Sequence, residues 1–466
     1  MEALMNLITK ASDAMWSSVL LVVLVSVGVI FTVYLKFPQF THLGKAFKAA
    51  FGDIFTSRKE AGTSSMSSFQ ALATSIAAQI GTGNVAGVAT AIMAGGPGAI
   101  FWMWVSGILG MGTIFSEAIL AQKYREIRDG QFVGGPAFYI SKGLKNKALG
   151  KFMAGFFSVA LIIALGFVGN MVQSNSITAS VNRATGIPPL AIGIVLGVLA
   201  ALVFMGGMKR IAKFAELVVP FMALLYIAGA ITIIIMFRDQ LGTAFSAIFQ
   251  GAFNPQAVGG GALGVTIKQA IRFGVARGLF SNEAGMGSTP HAHAVANVKH
   301  PVQQGMVAMV GVIIDTLVVC TATALIVLVT GAYLDTSLAG PLVTQQAFTT
   351  AFGGAGTQFL AITLSFFAFT TIVGWYYFGE TNIRYLFGSK GVRPYQVIVV
   401  LFVILGSMLT DDVDFVWTMA DFFNGIMVFP NLIALLLLAP QVKRLFDGYN
   451  RGELYTPDYE MPKDMK

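Results

Sequence analysis

Apolar stretches long enough to cross a bilayer recur along the whole chain, and that recurrence limits what the chain can fold into. A spanning helix needs about 20 predominantly apolar residues. Eleven stretches meet this, near 15–36, 66–93, 98–122, 150–182, 189–207, 213–237, 262–298, 302–331, 343–379, 394–410 and 412–440. Hydrophobic residues make up 55% of the 466 and charged residues only 11%, with mean hydropathy +0.73. A soluble domain carries about 25% charged residues, so this chain lacks the charge to coat a water-facing surface. The expected fold is an all-α membrane protein of about 11 transmembrane helices in one domain over residues 1–466. The first stretch is too long for a signal peptide, only Lys10 precedes it, and no A-x-A-like cleavage site follows it. Cys320 is the single cysteine, which excludes an internal disulfide.

Charge placement orients the spans. With the N-terminus outside, the inward segments hold 24 of the 30 Lys and Arg: residues 36–60, 122–151, 208–213, Lys299, then Arg384, Lys390 and Arg393, and the tail. Outward segments hold only Lys10, Arg183 and Arg238, and Lys268, Arg272 and Arg277 fall within one span. This bias is the positive-inside pattern, and it predicts an outside N-terminus and a cytoplasmic C-terminus in a multi-pass cell-membrane protein. Phe40, Leu43, Phe47, Phe51, Ile54 and Phe55 recur at helical spacing with Lys45 and Lys48 on other faces, as in a helix lying on the inner leaflet. Residues 134–147 read similarly.

Two spans are interrupted by glycine and polar residues. The second contains Gln79-Ile80-Gly81-Thr82-Gly83-Asn84, and the seventh contains Arg277-Gly278-Leu279-Phe280-Ser281-Asn282-Glu283-Ala284-Gly285. An odd number of spans separates them, so the two helices run in opposite directions. Lys213-Phe214-Ala215-Glu216 leads to Pro220 in the sixth span, and Thr418-Met419-Ala420-Asp421 leads to Pro430 in the eleventh. These matches predict an inverted repeat: an extra helix at 15–36, a first repeat at 62–240, an inverted second repeat at 256–440 and a cytoplasmic tail at 441–466. Backbone leaves the helix at membrane depth only where protein or water satisfies it. The exposed N–H end of a half-helix attracts carboxylates and its carbonyl end attracts cations. Paired interruptions of this kind point to a secondary transporter's site.

Other readings fare worse. Most of the 52 glycines suit close helix packing, as at Gly193 and Gly197. Gly81, Gly83 and Ala86 match a dinucleotide-binding pattern, but an apolar helix precedes them instead of a strand. The net charge of +8 comes without a basic run interleaved with aromatics, which argues against nucleic acid. No zinc-ligand motif, G-x-S-x-G or phosphate loop is present, so an enzyme is not expected. A channel would not need two matched breaks. His291 and His293 do not share a helix face, and with His300 they read as interfacial polar residues, not a metal site.

The run from Gly274 to Gly287, with Ile80 to Asn84, Gly95 to Trp104 and Gly134 to Phe138, closely resembles the alanine or glycine:cation symporter family of the amino acid–polyamine–organocation superfamily. The likeness covers nearly the whole chain. It implies a LeuT-like five-plus-five inverted repeat preceded by one extra helix. It also implies sodium-coupled, or sometimes proton-coupled, uptake of alanine or glycine, with D-alanine accepted by some members. Sodium is the implied coupling ion, with no organic cofactor and no obligate protein partner.

In such a fold the first core break cradles the substrate carboxylate: Gly81, Thr82 and Gly83 here, with Asn84 opening the next half-helix. Phe273, Gly274, Gly278, Phe280, Ser281 and Asn282 form the opposite wall. Gln79 and Asn170 are candidates for the substrate ammonium through their carbonyl oxygens, and Phe167, Phe273 and Trp375 are candidate plugs at the end of the pocket. The likeness assigns sodium to the Ala77 and Ile80 carbonyls with the Thr370 and Thr371 hydroxyls, Thr371 also bordering the substrate. Intramembrane charges are costly, which singles out Arg272, Arg277, Glu283, Asp315, Glu117, Glu216 and Asp421. Arg277 and Glu283 are expected to pair in a gate. Glu117, Glu216 and Lys268 are expected near membrane edges. The two threonines favour sodium, while Asp315 keeps a proton-coupled carrier open.

Overall fold

The computed structural model describes residues 2–52, 65–254, 266–409 and 413–457. Helix α1 covers residues 2–34, its α-helical parts Glu2–Ala14 and Leu20–Tyr34 joined by the π-helical stretch Met15–Val19. There follow α2 (Leu43–Phe51), α3 (Ser68–Gln79), α4 (Gly83–Gly95) and α5 (Ala99–Lys123). A ribbon of β1 (Glu126–Arg128) and β2 (Gln131–Val133) leads to α6 (Pro136–Gly143). Next come α7 (Lys147–Thr185), α8 (Pro189–Phe204), α9 (Gly207–Met236) and α10 (Leu241–Phe253). The last group is α11 (Ile267–Asn282), α12 (Pro290–Ala294), α13 (Pro301–Val329), α14 (Pro341–Phe352), α15 (Gly354–Phe387), α16 (Val392–Met408) and α17 (Val413–Asn450).

By length and composition, seven described helices can cross a membrane: α5, α7, α9, α13, α15, α16 and the Phe415–Asn450 part of α17. The pair α3 and α4, bent by 52°, makes an eighth. Leu20–Tyr34 and α8 are apolar but shorter. Helix α1 starts at Glu2, well before the apolar run, and the stretch read as one span at 343–379 is two helices parted at Gly353. Gly353 has φ +60°, a left-handed conformation that glycine adopts without steric cost. Helix α17 continues to Asn450, so the first residues of the expected tail are helical.

Asp129 and Gly130 both have positive φ, 51° and 72°. That is the two-residue turn that closes a tight antiparallel hairpin, and Arg128 pairs with Gln131 across it. The expected helix is divided: Phe40 lies in a short helix, Pro38–Thr41, and Leu43 and Phe47 in α2. Phe40, Leu43 and Phe47 are exposed while Ala46 and Ala50 are buried; Ile54 and Phe55 lie outside the described residues. Helix α6 does not lie exposed on a surface as residues 134–147 suggested, because Pro136 through Ile140 are buried in the protein.

Helices α3 and α11 open in the same way. Helix α3 opens with a capping box of Ser67 and Gln70, and α11 opens with one of Thr266 and Gln269. Each reciprocal pair satisfies two helix N–H groups that would otherwise lack partners. Helix α5 packs against both α11 and α13, and α7 packs against α15. Further π-helical stretches lie at Gly83–Gly87 in α4, Ile162–Gly169 in α7 and Ile313–Cys320 in α13. Each holds its hydrogen bonds one residue wider than an α-turn.

Candidate functional site

Helix α3 ends where Ile80 turns extended, at φ −81° and ψ 94°. Helix α11 ends at Glu283, with φ 57°, and the chain stays irregular through Gly285 and Gly287, at φ 90° and 78°, until α12. The two interruptions meet. Gln79 Nε2 donates to the Asn282 carbonyl at 2.6 Å. A Cβ on Gly83 would lie 3.1 Å from Ser281 Cα, so glycine is what lets the backbones approach. Phe280 lies between Trp375 and Trp417, with ring centroids 5.9 and 5.2 Å away. Trp375 in turn covers Gly169, where a Cβ would lie 2.6 Å from the indole.

The amides of the first break already have partners within the protein. Gly81 N–H donates to Asn84 Oδ1 at 2.9 Å and Thr82 N–H donates to Gln173 Oε1 at 3.1 Å. Gln173 is therefore a site residue that the sequence reading missed. It follows Asn170 by one helical turn and is fully buried, but it belongs to no motif. Asn84 Nδ2 donates to Asp315 Oδ1 at 2.6 Å, and Ser281 Oγ donates to the same oxygen at 2.9 Å. Thr316 Oγ1 donates to Asp315 Oδ2 at 2.7 Å and accepts from Asn282 Nδ2 at 3.1 Å. Asp315 thus ties both broken spans to α13 through neutral donors.

Arg277 and Glu283 do not pair. Arg277 makes a bidentate salt bridge to Asp421, both contacts at 2.9 Å, and its guanidinium lies 5.1 Å from the Trp417 ring centroid. Glu283 is fully buried and accepts from Trp375 Nε1 and Ser288 Oγ, each at 2.5 Å. Its backbone is left-handed, at φ 57°. Glu117 is fully buried within the protein. Its oxygens accept from the N–H groups of Gly285 at 3.1 Å and Gly287 at 3.0 Å, and from Asn431 Nδ2 at 2.6 Å. Asn431 also donates to the Gly285 carbonyl at 2.9 Å and accepts from the Tyr139 hydroxyl. Glu216 is half-buried and accepts from Gln70 at 2.9 Å, while Lys268 is exposed.

The expected cation ligands converge in part. Thr371 Oγ1 lies 3.0 Å from the Ala77 carbonyl, 3.2 Å from that of Ile80 and 3.1 Å from that of Phe367. These oxygens suit a hard monovalent ion, because carbonyl and hydroxyl groups supply partial charge without a thiolate or imidazole. Thr370 lies elsewhere: its hydroxyl bonds the Phe367 carbonyl at 2.8 Å and meets Met222 Sδ at 3.4 Å. Adjacent residues on a helix face about 100° apart, and here only the Thr371 hydroxyl is turned to the α3 carbonyls.

Several other expected site residues serve packing. Cβ atoms on Gly274 and Gly278 would lie 2.2 Å from the Ala99 carbonyl and 2.8 Å from Ser106 Oγ, so both glycines face α5. Phe167 stacks on Phe402 at 4.8 Å, away from the breaks. Phe273 lines a separate open pocket with Asp13, Trp16, Arg272, Arg277 and Asp421. There Arg272 pairs with Asp13 at 2.5 Å and Trp16 Nε1 donates to the Asp421 carbonyl at 2.9 Å. Asn170 Nδ2 bonds its own helix at Gly166, leaving Oδ1 buried without a partner. His291 and His293 are buried within the protein and bond separately to Asn382 and Gln304.

Broken helices meeting at mid-span, with a hydroxyl and carbonyls gathered beside one break, define a multi-span secondary transporter. The fold is that of MhsT in its crystal structure with L-phenylalanine, at TM-score 0.58 and 14% identity, covering 83% of this chain and 99% of that one. An Eremococcus coleocola manganese transporter shares it at TM-score 0.54 and 12% identity, over 84% of this chain and 85% of that one. The architecture is therefore the LeuT-like one. The sequence profile of the sodium:alanine symporter family matches residues 1–460, and the chain belongs to that family. It is a sodium-coupled amino-acid symporter of the alanine and glycine type, not an enzyme. The sodium/alanine symporter AgcS of Methanococcus maripaludis is 42% identical over 96% of this chain and 97% of its own length. A Bacillus subtilis protein described as "Probable sodium/glutamine symporter GlnT" is 40% identical over 100% of this chain and 94% of its own.

Proposed function

We propose that the protein carries alanine or glycine into the cell with sodium, through eleven spans with the N-terminus outside. The eleven are the eight apolar spans, the Leu20–Tyr34 helix, α8, and α11 with α12. The last was not counted by apolarity because it is broken and polar. Spans two to six and seven to eleven then form the inverted repeat, supported by the matching capping boxes of α3 and α11. The outside N-terminus rests on the placement of Lys and Arg.

The observation that carries the coupling is the approach of Thr371 Oγ1 to the Ala77 and Ile80 carbonyls. A sodium ion held there joins the end of α3 to α15. Co-transport follows if the ion steadies the same break that binds substrate, because each ligand then favours the conformation the other needs. Beside it, Gly81, Thr82, Gly83 and Asn84 face Ser281 and Asn282 across the second break. Gln173 and Asn84 hold the two break amides, and the substrate carboxylate takes their place. Phe280 and Trp375, in ring contact, border the pocket.

Labelled alanine and glycine uptake into liposomes holding the purified protein, with sodium and proton gradients imposed separately, tests this. Sodium-driven accumulation of either amino acid is expected. Accumulation driven by protons without sodium would overturn the cation assignment and move coupling to Asp315, the buried carboxylate between the breaks.

A further inference from the structure

Helix α17 presents a stripe of residues to the second break. Trp417 covers Phe280, Asp421 holds Arg277, and Asn431 bonds the Gly285 carbonyl. Their spacing of four and ten residues keeps them on one face of the helix, and Asn424 falls on that face between Asp421 and Asn431. Val416 and Ala420, on the neighbouring face, pack with Val168, Met171 and Val172 of α7. Asn424 therefore sits in the crevice between the second break and the part of α7 that carries Asn170.

Asn424 is 2% exposed, and neither its amide nitrogen nor its oxygen has a partner. Among the described residues it is the one buried amide in that condition. Buried polar groups are almost always hydrogen-bonded, so an unpaired donor and acceptor side by side mark a place for a ligand group. The nearby Asn170 Oδ1 is also buried without a partner.

We propose that Asn424 determines specificity, its amide hydrogen-bonding the side chain of transported amino acids that carry a neutral group able to donate and accept, a hydroxyl or a carboxamide. The inference rests on the reading of the protein as a small amino acid carrier, and it widens the substrate class to polar relatives of alanine. A site that pairs with such a group discriminates against the analogue lacking it. Alanine is carried with the amide unpaired, and a polar substrate pairs it.

The test compares kcat/KM for sodium-driven uptake of L-serine, L-glutamine and L-alanine by the purified full chain in phosphatidylethanolamine–phosphatidylglycerol vesicles. For whichever polar substrate the native protein carries better, the ratio to alanine falls about tenfold in Asn424→Leu, the effect of losing one hydrogen bond. The same fall is expected in Asn424→Ala, which serves if the Leu variant is not recovered from membranes. A ratio within about twofold of the native one in the recovered variant, or no uptake of either polar amino acid by the native protein, overturns the proposal. Failure of the native protein to carry alanine or glycine as well would instead overturn the carrier reading beneath it.

Discussion

Thr370 and Thr371 are neighbours with the same hydroxyl, yet only Thr371 reaches the α3 carbonyls. Thr371→Val keeps the shape and removes that oxygen. The half-saturating sodium concentration for uptake is expected to rise about tenfold, as for one lost polar contact. Thr370→Val is expected to move it by less than about twofold, because that hydroxyl bonds its own helix. Equal effects of the two would make Thr370 a ligand of the same ion, and no effect of either would place the ion elsewhere. At this scale the sequence was partly legible. Gln79, Gly83, Asn84, Ser281 and Asn282 stood out because glycine and polar residues interrupt apolar helices. Gln173 did not, because its meaning comes from Thr82, 91 positions away. Gly274 and Gly278 were misread for the converse reason: glycine near a break and glycine against a neighbouring helix look alike until the neighbour, α5, is in place.

Among the elements, the irregular segment after α11 is held by its surroundings. Glu117 on α5 takes two of its N–H groups, and Asn431 on α17 takes a carbonyl while bonding Tyr139 on α6. Glu117→Gln puts an NH2 group where one backbone N–H needs an acceptor. It is expected to destabilise the protein by about 2–4 kcal/mol, the range for a broken buried polar network. A lowered unfolding temperature in detergent would report it; an unchanged one would show that α17 alone holds the segment. The existence of both breaks was readable from composition, but their bracing was not, since Glu117 sits in a helix whose pattern is otherwise apolar. The β ribbon is a different case. Asp129-Gly130 is a standard hairpin signal, so the ribbon is legible in the sequence from its turn.

For the molecule as a whole, topology is the open quantity and Cys320 makes it accessible. That cysteine is 1% exposed, so it should not react with a membrane-impermeant maleimide. Lys209→Cys, between α8 and α9, is expected to label only after the membrane is permeabilised. Arg238→Cys, after α9, is expected to label in intact cells. The reverse result would invert the orientation. Span positions were largely legible because a hydrocarbon slab imposes one length on every helix. The split at Gly353, the early start of α1 and the helix α10 were not, since membrane thickness does not dictate them.

The π-helical stretch Ile162–Gly169 bears on how chains of this kind can change length. A π turn accommodates a residue that an α-turn would not. Removing one residue there would let the helix close into regular α-form with its hydrogen bonding intact, so an alignment would register a harmless one-position gap. The wide turn absorbs that residue locally, so the rest of α7 would keep its face, with Asn170 and Gln173 still directed at the first break. A one-residue deletion in the regular α-helical part of α7 would instead turn everything beyond it by about 100°, so this stretch is where the helix can lose a residue and keep its facing.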